Sequence, residues 1–245
     1  RAVILRVLSP PSAADLEAIR AFGVAQCVTM YLQPGGLDTV AAVGGTPAAL
    51  EYALPEFGLR LAFEPSDFIQ VNPAINQALV SRAVQLLGAG PADRVLDLYC
   101  GLGNFTLALA RRAGCVLGIE GDAGLIARAR ANALRNDIGN ASFRVGDLAA
   151  QDVAQGSWWG EGYSHVLLDP PRAGAREVLP AIARLAPRRI VYVSCHPGTL
   201  ARDLGILVHE HGYALQAAGV LDMFPHTTHV ESMAVLVPIH DTCAS

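Results

Sequence analysis

Arg94-Val95-Leu96-Asp97-Leu98-Tyr99-Cys100-Gly101-Leu102-Gly103-Asn104-Phe105-Thr106-Leu107-Ala108-Leu109-Ala110 is the stretch that decides the fold. Val95–Leu98 is a short apolar run, Gly101 and Gly103 interrupt it, and good helix formers resume at Thr106. Strand, glycine turn and helix, in that order, open a doubly wound α/β sheet whose ligand sits beyond the strand's carboxyl end. Thr106 stands where the dinucleotide fingerprint carries a third glycine, so a ligand can approach the backbone closely, but a pyrophosphate site is incomplete. A nucleoside without phosphates fits better, and S-adenosylmethionine is the common one. A glycine pair also occurs in turns that bind nothing; the groups at the later strand ends argue for a ligand here.

Those strands follow at α/β spacing. Cys115–Glu120 is a second strand ending in an acid, and Glu120 lies 19 residues past Gly101, where a carboxylate accepts hydrogen bonds from both ribose hydroxyls. Asp122–Asn136 is a helix. Ser142–Val145 is a third strand followed by Gly146-Asp147, with Asp147 a candidate for the adenine amino group and nearly as good a plain turn residue. His165–Leu168 ends in Asp169-Pro170-Pro171-Arg172, two prolines fixing the backbone behind a carboxylate, with an Ala-rich helix after it. Arg189–Ser194 ends in Cys195-His196-Pro197 before a helix over Thr199–Glu210, and the positive end of that helix is expected to lower the Cys195 thiol pKa. Tyr213–Met223 and Glu231–Val237 are the last two strands. The return between them makes the final strand antiparallel and starts it at the ligand edge, so Glu231 is expected to face Cys195. His226, His229 and Glu231 invite comparison with a metal site, but the helical presentation of the zinc-protease motif is missing and no metal is expected.

Upstream, residues 1–66 are expected to form a small partial α+β domain. It has strand candidates at Val3–Leu8 and Cys27–Leu32, a helix over Ser12–Gln26 capped by Ser12, turns at Pro34–Gly36 and Gly44–Pro47, and a hairpin from Tyr52–Leu54 and Leu59–Phe63. Phe68-Ile69-Gln70-Val71-Asn72-Pro73 joins it to residues 67–245, with Asn72 capping and Pro73 starting a helix through Leu87. Phe68 and Gln70 alternate onto one face if the join is extended.

Composition sets bounds. Of 245 residues, 52% are hydrophobic and no apolar run reaches membrane-spanning length, so a soluble protein is expected. All 18 basic residues are Arg, suited to planar contacts with phosphate and bases. The net charge of −4 argues mildly against a stand-alone nucleic-acid binder. Cys27, Cys100, Cys115, Cys195 and Cys243 form no Cys-x-x-Cys pair, which points to a reducing, cytoplasmic setting. The chain opens at Arg1 without a signal peptide, and a preceding segment is expected.

Five motifs together resemble the RNA uracil-5-methyltransferases: Phe68–Asn72, Asp97–Phe105, Asp169–Arg172, Val193–Pro197 and His226–Glu231. Thr199–Asp203 and Leu221–His226 are most similar to the 23S rRNA branch. The resemblance, running from about Leu61 to Leu236, implies a seven-stranded S-adenosylmethionine-dependent methyltransferase sheet with a last antiparallel strand. It implies methyl transfer to carbon 5 of a uridine, with Cys195 as nucleophile and Glu231 as base. Gln70, Tyr99, Gly101, Asn104, Glu120, Asp147 and Asp169 would surround the cofactor, and Phe68, Gln70, Asp169 and Arg172 the target base. The implied partner is RNA, 23S rRNA ahead of tRNA, and a monomer is expected. His196 departs from the Asn usual in the family. The family's β-barrel RNA-binding domain and the iron–sulfur site of some members are not visible in these residues and would lie in a preceding segment; residues 1–66 look like the remainder of its central domain. A non-catalytic RNA-binding module with a vestigial pocket is the alternative of a different class. A cytosine-5 enzyme would be expected to carry Pro-Cys after the fourth strand, where Asp169-Pro170-Pro171 has none, and the missing third glycine disfavours a nicotinamide dehydrogenase.

Overall fold

The computed structural model describes residues 1–44, 49–227 and 229–239. The expected turn beyond Gly44, Thr228 of the last loop, and Cys243 lie outside the described residues. The chain divides into two compact units, Arg1–Tyr52 with Ala62–Ile69, and Ala53–Leu61 with Gln70–Ser245.

In the first unit, β1 (Ala2–Arg6) runs parallel to β2 (Thr29–Gln33) through α1 (Ala13–Gln26), and β2 pairs antiparallel with β3 (Ala41–Ala42). Ser12 and Asp15 form a reciprocal capping box that satisfies two donors at the start of α1. The chain continues through a two-stranded hairpin, β4 (Leu50–Leu54) and β5 (Leu59–Phe63), turned by Gly58 at φ 61°.

The second unit is a seven-stranded sheet. α2 (Pro73–Leu87) has the bounds its caps dictate: Asn72 accepts the Ile75 N–H, Pro73 occupies the first turn, and Gly88 at φ 65° ends it. Then come β6 (Arg94–Leu98), α3 (Thr106–Ala110), β7 (Cys115–Glu120), α4 (Ala123–Arg135), β8 (Ala141–Val145), β9 (His165–Leu168), α5 (Leu179–Leu185), β10 (Arg189–Ser194), α6 (Pro197–Glu210), β11 (Tyr213–Leu221) and β12 (Glu231–Pro238). The strand order is β11-β12-β10-β9-β6-β7-β8. β12 is antiparallel to both its neighbours, and β6 through β10 are mutually parallel where they pair. The polypeptide reverses direction across the sheet at β6, between β7 and β9, which is the topological switch point where such sheets bind ligands.

Side chains alternate across the strands. One face carries Leu96, Leu98, Leu168, Ile190, Tyr192, Ala234 and Leu236 into a core with Leu179 and Ile182 of α5 and Leu200 and Leu207 of α6. The opposite face, against which α2 packs at β9, β10 and β12, takes the other set. By that alternation Asp97, Asp169, Cys195 and Glu231 all belong to the α2 side.

Candidate active site

The turn after β6 is held by three residues with positive φ: Tyr99 at 63°, Gly101 at 54° and Gly103 at 97°. A Cβ on Gly101 would meet nothing within 4 Å, so this glycine serves the backbone conformation and leaves the turn open. A Cβ on Gly103 would press on Leu107 at 3.2 Å; that glycine seats the turn on α3. Glu120 Oε2 accepts the Gly101 N–H at 3.1 Å, and its Oε1 accepts the Asp122 N–H at 3.1 Å. The acid expected at ribose distance is thus fixed against the glycine turn by backbone donors. Asn104 and Asn76 exchange side-chain hydrogen bonds at 3.0 and 3.2 Å, tying the turn to α2. Asp147 is exposed after β8, its Oδ1 accepting the Ala149 N–H at 2.9 Å.

Thr106, in place of a third glycine, donates its hydroxyl to Asp97 Oδ2 at 2.5 Å. Asp97 is fully buried; burial raises its pKa to about 7, the Thr106 bond opposes the rise, and the nearby Glu120 charge adds to it. Asp97 Oδ1 and Gln70 Oε1 are buried with no donor among the described residues. The open glycine turn, with a carboxylate fixed beside it at the switch point of the sheet, fits a nucleoside ligand such as S-adenosylmethionine.

The reactive side of the site comes from the other half of the sheet. β10 and β12 pair Ser194 with Ser232 in antiparallel register, so Cys195, just past β10, and Glu231, at the start of β12, reach the same edge, and the Glu231 charge acts on the thiol. Glu231 is 2% exposed, its Oε2 has no donor among the described residues, and burial raises its pKa to about 7. Asp169 is raised to about 8, chiefly by burial and further by the Glu231 and Asp97 charges. Arg172, exposed in the following loop, is near enough to Cys195 to favour its thiolate. Phe68 belongs to the first unit and is 77% exposed.

One expectation is corrected. The Cys195 thiol is pushed up rather than down: burial is the largest cause, and the Glu231 and Asp169 carboxylates add to it against Arg172. Burial sets the direction, and two acids that arrive from distant parts of the chain reinforce it. α6 also begins at Pro197, two residues before the expected start, because His196 is its N-cap. His196 Nδ1 accepts the Thr199 N–H at 3.2 Å, a capping bond that an Asn oxygen makes equally well. Three contributors were missed in the sequence: Asn76, the Asp97–Thr106 bond, and Asp203, which is buried at 0% exposure on α6. Among the described residues no group of three or more His, Cys, Asp or Glu is arranged to hold a metal ion, and no helix is long and apolar enough to cross a membrane.

The family model described as tRNA (Uracil-5-)-methyltransferase matches residues 56–158 and 159–238. The chain belongs to this family. As a uracil-5-methyltransferase family member it is 53% identical over 234 residues to the 23S rRNA (uracil(1939)-C(5))-methyltransferase RlmD of Xanthomonas campestris, covering 96% of this chain and 52% of that protein. It is 55% identical over 235 residues to the RlmD of Alkalilimnicola ehrlichii, covering 96% and 53%. The chain therefore spans about half the length of the curated relatives it matches. Among solved structures, the Pyrococcus abyssi tRNA (uracil-54, C5)-methyltransferase in complex with S-adenosyl-L-homocysteine superposes with a TM-score of 0.71 at 29% identity, covering 86% of this chain and 50% of that one.

Proposed function

We propose that the chain is the catalytic part of an RNA uracil-5-methyltransferase acting on 23S rRNA. The observation that carries this is the cross-strand placement of Cys195 against Glu231, at the carboxyl edge that also holds the glycine turn, Glu120 and Asp169. Gly101, Glu120, Asn104, Tyr99, Asp147 and Gln70 would hold S-adenosylmethionine, which supplies an electrophilic methyl group on its sulfonium. The 23S rRNA relatives, at much higher identity than the tRNA enzyme, support rRNA as the substrate.

The residues divide the work as the chemistry of uracil demands. Carbon 5 of the ring is a weak nucleophile. Addition of the Cys195 thiolate to carbon 6 pushes the ring electrons toward O4 as an enolate and makes carbon 5 nucleophilic. After methylation, carbon 5 still carries its proton. Glu231 takes that proton, the carbon 5–carbon 6 double bond re-forms, and the thiolate leaves with the electrons of the carbon–sulfur bond. A carboxyl with a pKa near 7 returns the proton to solvent readily at neutral pH. Asp169, held at a strand end and retaining a proton to about pH 8, can both donate to and accept from the uracil edge together with Gln70. Arg172 would meet a neighbouring phosphate.

In this reading the first unit is part of the central domain of the longer relatives, and the second is the methyl-transfer domain. The free thiols of Cys27, Cys100, Cys115 and Cys195 suit a cytoplasmic setting, and a monomer is sufficient because the reactive pair lies within one unit. The test is the distribution of 5-methyluridine in rRNA and tRNA of a strain lacking the gene. Loss of one 23S rRNA 5-methyluridine, restored by the parent gene and not by Cys195→Ala, is expected; intact rRNA with loss in tRNA would reassign the substrate.

A further inference from the structure

The loop behind Asp169 is fastened to α6 at three successive places. Thr199 Oγ1 donates to the Arg172 carbonyl at 3.1 Å, Arg202 donates to the Ala173 carbonyl at 2.9 Å, and Asp203 Oδ2 accepts the Ala175 N–H at 2.8 Å. Residues 199, 202 and 203 share one face of the helix, so a single surface of α6 grips the loop. The same Asp203 oxygen accepts the Tyr192 hydroxyl of β10 at 2.6 Å, while its Oδ1 takes the Arg202 guanidinium at 2.7–2.8 Å. Gly174 completes the fit: at φ 86°, a Cβ there would lie 2.5 Å from both Asp203 Oδ2 and an Arg202 nitrogen. One carboxylate, buried on the sheet face opposite Cys195, therefore joins the strand that ends in the nucleophile, the helix that follows it, and the loop that carries Arg172.

We infer that Asp203 is a positioning residue that locks the Asp169–Ala175 loop onto α6 and so fixes Arg172 relative to Cys195. The inference rests on the reading of Cys195 as the nucleophile for its functional meaning, but not for its test. The titratable and charged groups facing the thiol are Glu231 from β12, Asp169 from the end of β9 and Arg172 from the loop, with His196 next in sequence. Arg172 is the side chain that opposes the two acids, and it reaches its place through a backbone whose anchors are Thr199, Arg202 and Asp203. Loosening that anchor frees Arg172 and leaves the thiol with the carboxylates alone.

The experiment is the pH dependence of Cys195 alkylation by iodoacetamide, followed by mass spectrometry of its peptide in the whole chain. Asp203→Asn is expected to slow alkylation about tenfold at pH 7 and move the inflection up by about one pH unit. In an Arg172→Ala background the same change is expected to add nothing, since the two act through one route. An unchanged profile for Asp203→Asn, or an equal slowing in both backgrounds, would overturn the assignment. Should Asp203→Asn not fold, Tyr192→Phe, which removes one donor and keeps the charge, carries the same comparison with a slowing of about threefold. Adduct formation by the parent chain with 5-fluorouridine RNA reports separately on Cys195 as nucleophile, so failure of either idea is visible without the other.

Discussion

Cys195, the first residue after β10, and Glu231, the first residue of β12, emerge at the same edge, each next to a member of the Ser194–Ser232 pair, although 36 positions separate them in sequence. Burial raises both groups, the acid to about 7, and the Glu231 charge raises the thiol further.

Replacing the base separates the two halves of the reaction. Glu231→Gln is expected to methylate RNA once and then retain it covalently, with turnover reduced by about 10²–10⁴-fold. Denaturing gels with labelled RNA would show a methylated adduct accumulating. A fully active Glu231→Gln removes Glu231 as the base.

The buried acids give the fold a pH dependence of definite sign. Asp97, Asp169 and Glu231 move from 3.8, 3.8 and 4.5 to about 7, 8 and 7 on folding. The folded chain thus holds more protons than the unfolded one between about pH 4 and pH 8, and stability falls as pH rises through that window. The stability these acids contribute is fully present below about pH 4 and lost by about pH 8. Thermal melts of the ligand-free chain should show the decline, and Glu231→Gln should be more stable than the parent at pH 8 by on the order of 2–3 kcal/mol. A melting temperature that rises from pH 5 to 8 would contradict the burial of ionisable acids.

Glu120 is fixed before any ligand arrives, by backbone donors from Gly101 and Asp122. On the proposed function, its remaining lone pairs would be offered to a ribose. Glu120→Ala should weaken S-adenosylmethionine binding about 10–100-fold in calorimetry, the range for hydrogen bonds to a charged group. An unchanged affinity would place the ribose elsewhere.

His196 is explained as a cap. His196→Asn should preserve stability and alkylation of Cys195, whereas His196→Ala should cost about 1 kcal/mol in urea unfolding through loss of the bond to the Thr199 N–H. A destabilised His196→Asn would show that the imidazole does more than cap α6.

The elements with local signals were legible. Asn72 and Pro73 start α2 and Leu87 ends it as its sequence implies, and Glu120 stands against the glycine turn, bonded to the Gly101 N–H. The antiparallel last strand followed from the return between β11 and β12, and with it the meeting of Cys195 and Glu231. What was not legible depends on charges brought together by folding. The thiol shift reverses because folding buries Cys195, and Asp169 and Glu231, 26 residues before and 36 after it in the sequence, converge on it and add to the rise. Asp203 and Asn76 read as polar helix positions, since periodicity reports which face is apolar and not which polar side chain is buried with partners. Thr106 read only as an absent glycine, while its hydroxyl anchors Asp97.

The central claim is that the sulfur of Cys195 bonds to carbon 6 of the target uracil, and RNA carrying 5-fluorouridine tests it most directly, because fluorine on carbon 5 does not leave as a proton. With S-adenosylmethionine present, the account predicts a stable protein–RNA adduct that mass spectrometry maps to Cys195 and that Cys195→Ala abolishes while still binding the cofactor. Normal turnover of uridine RNA by Cys195→Ala, or an adduct mapped to another residue, would contradict it.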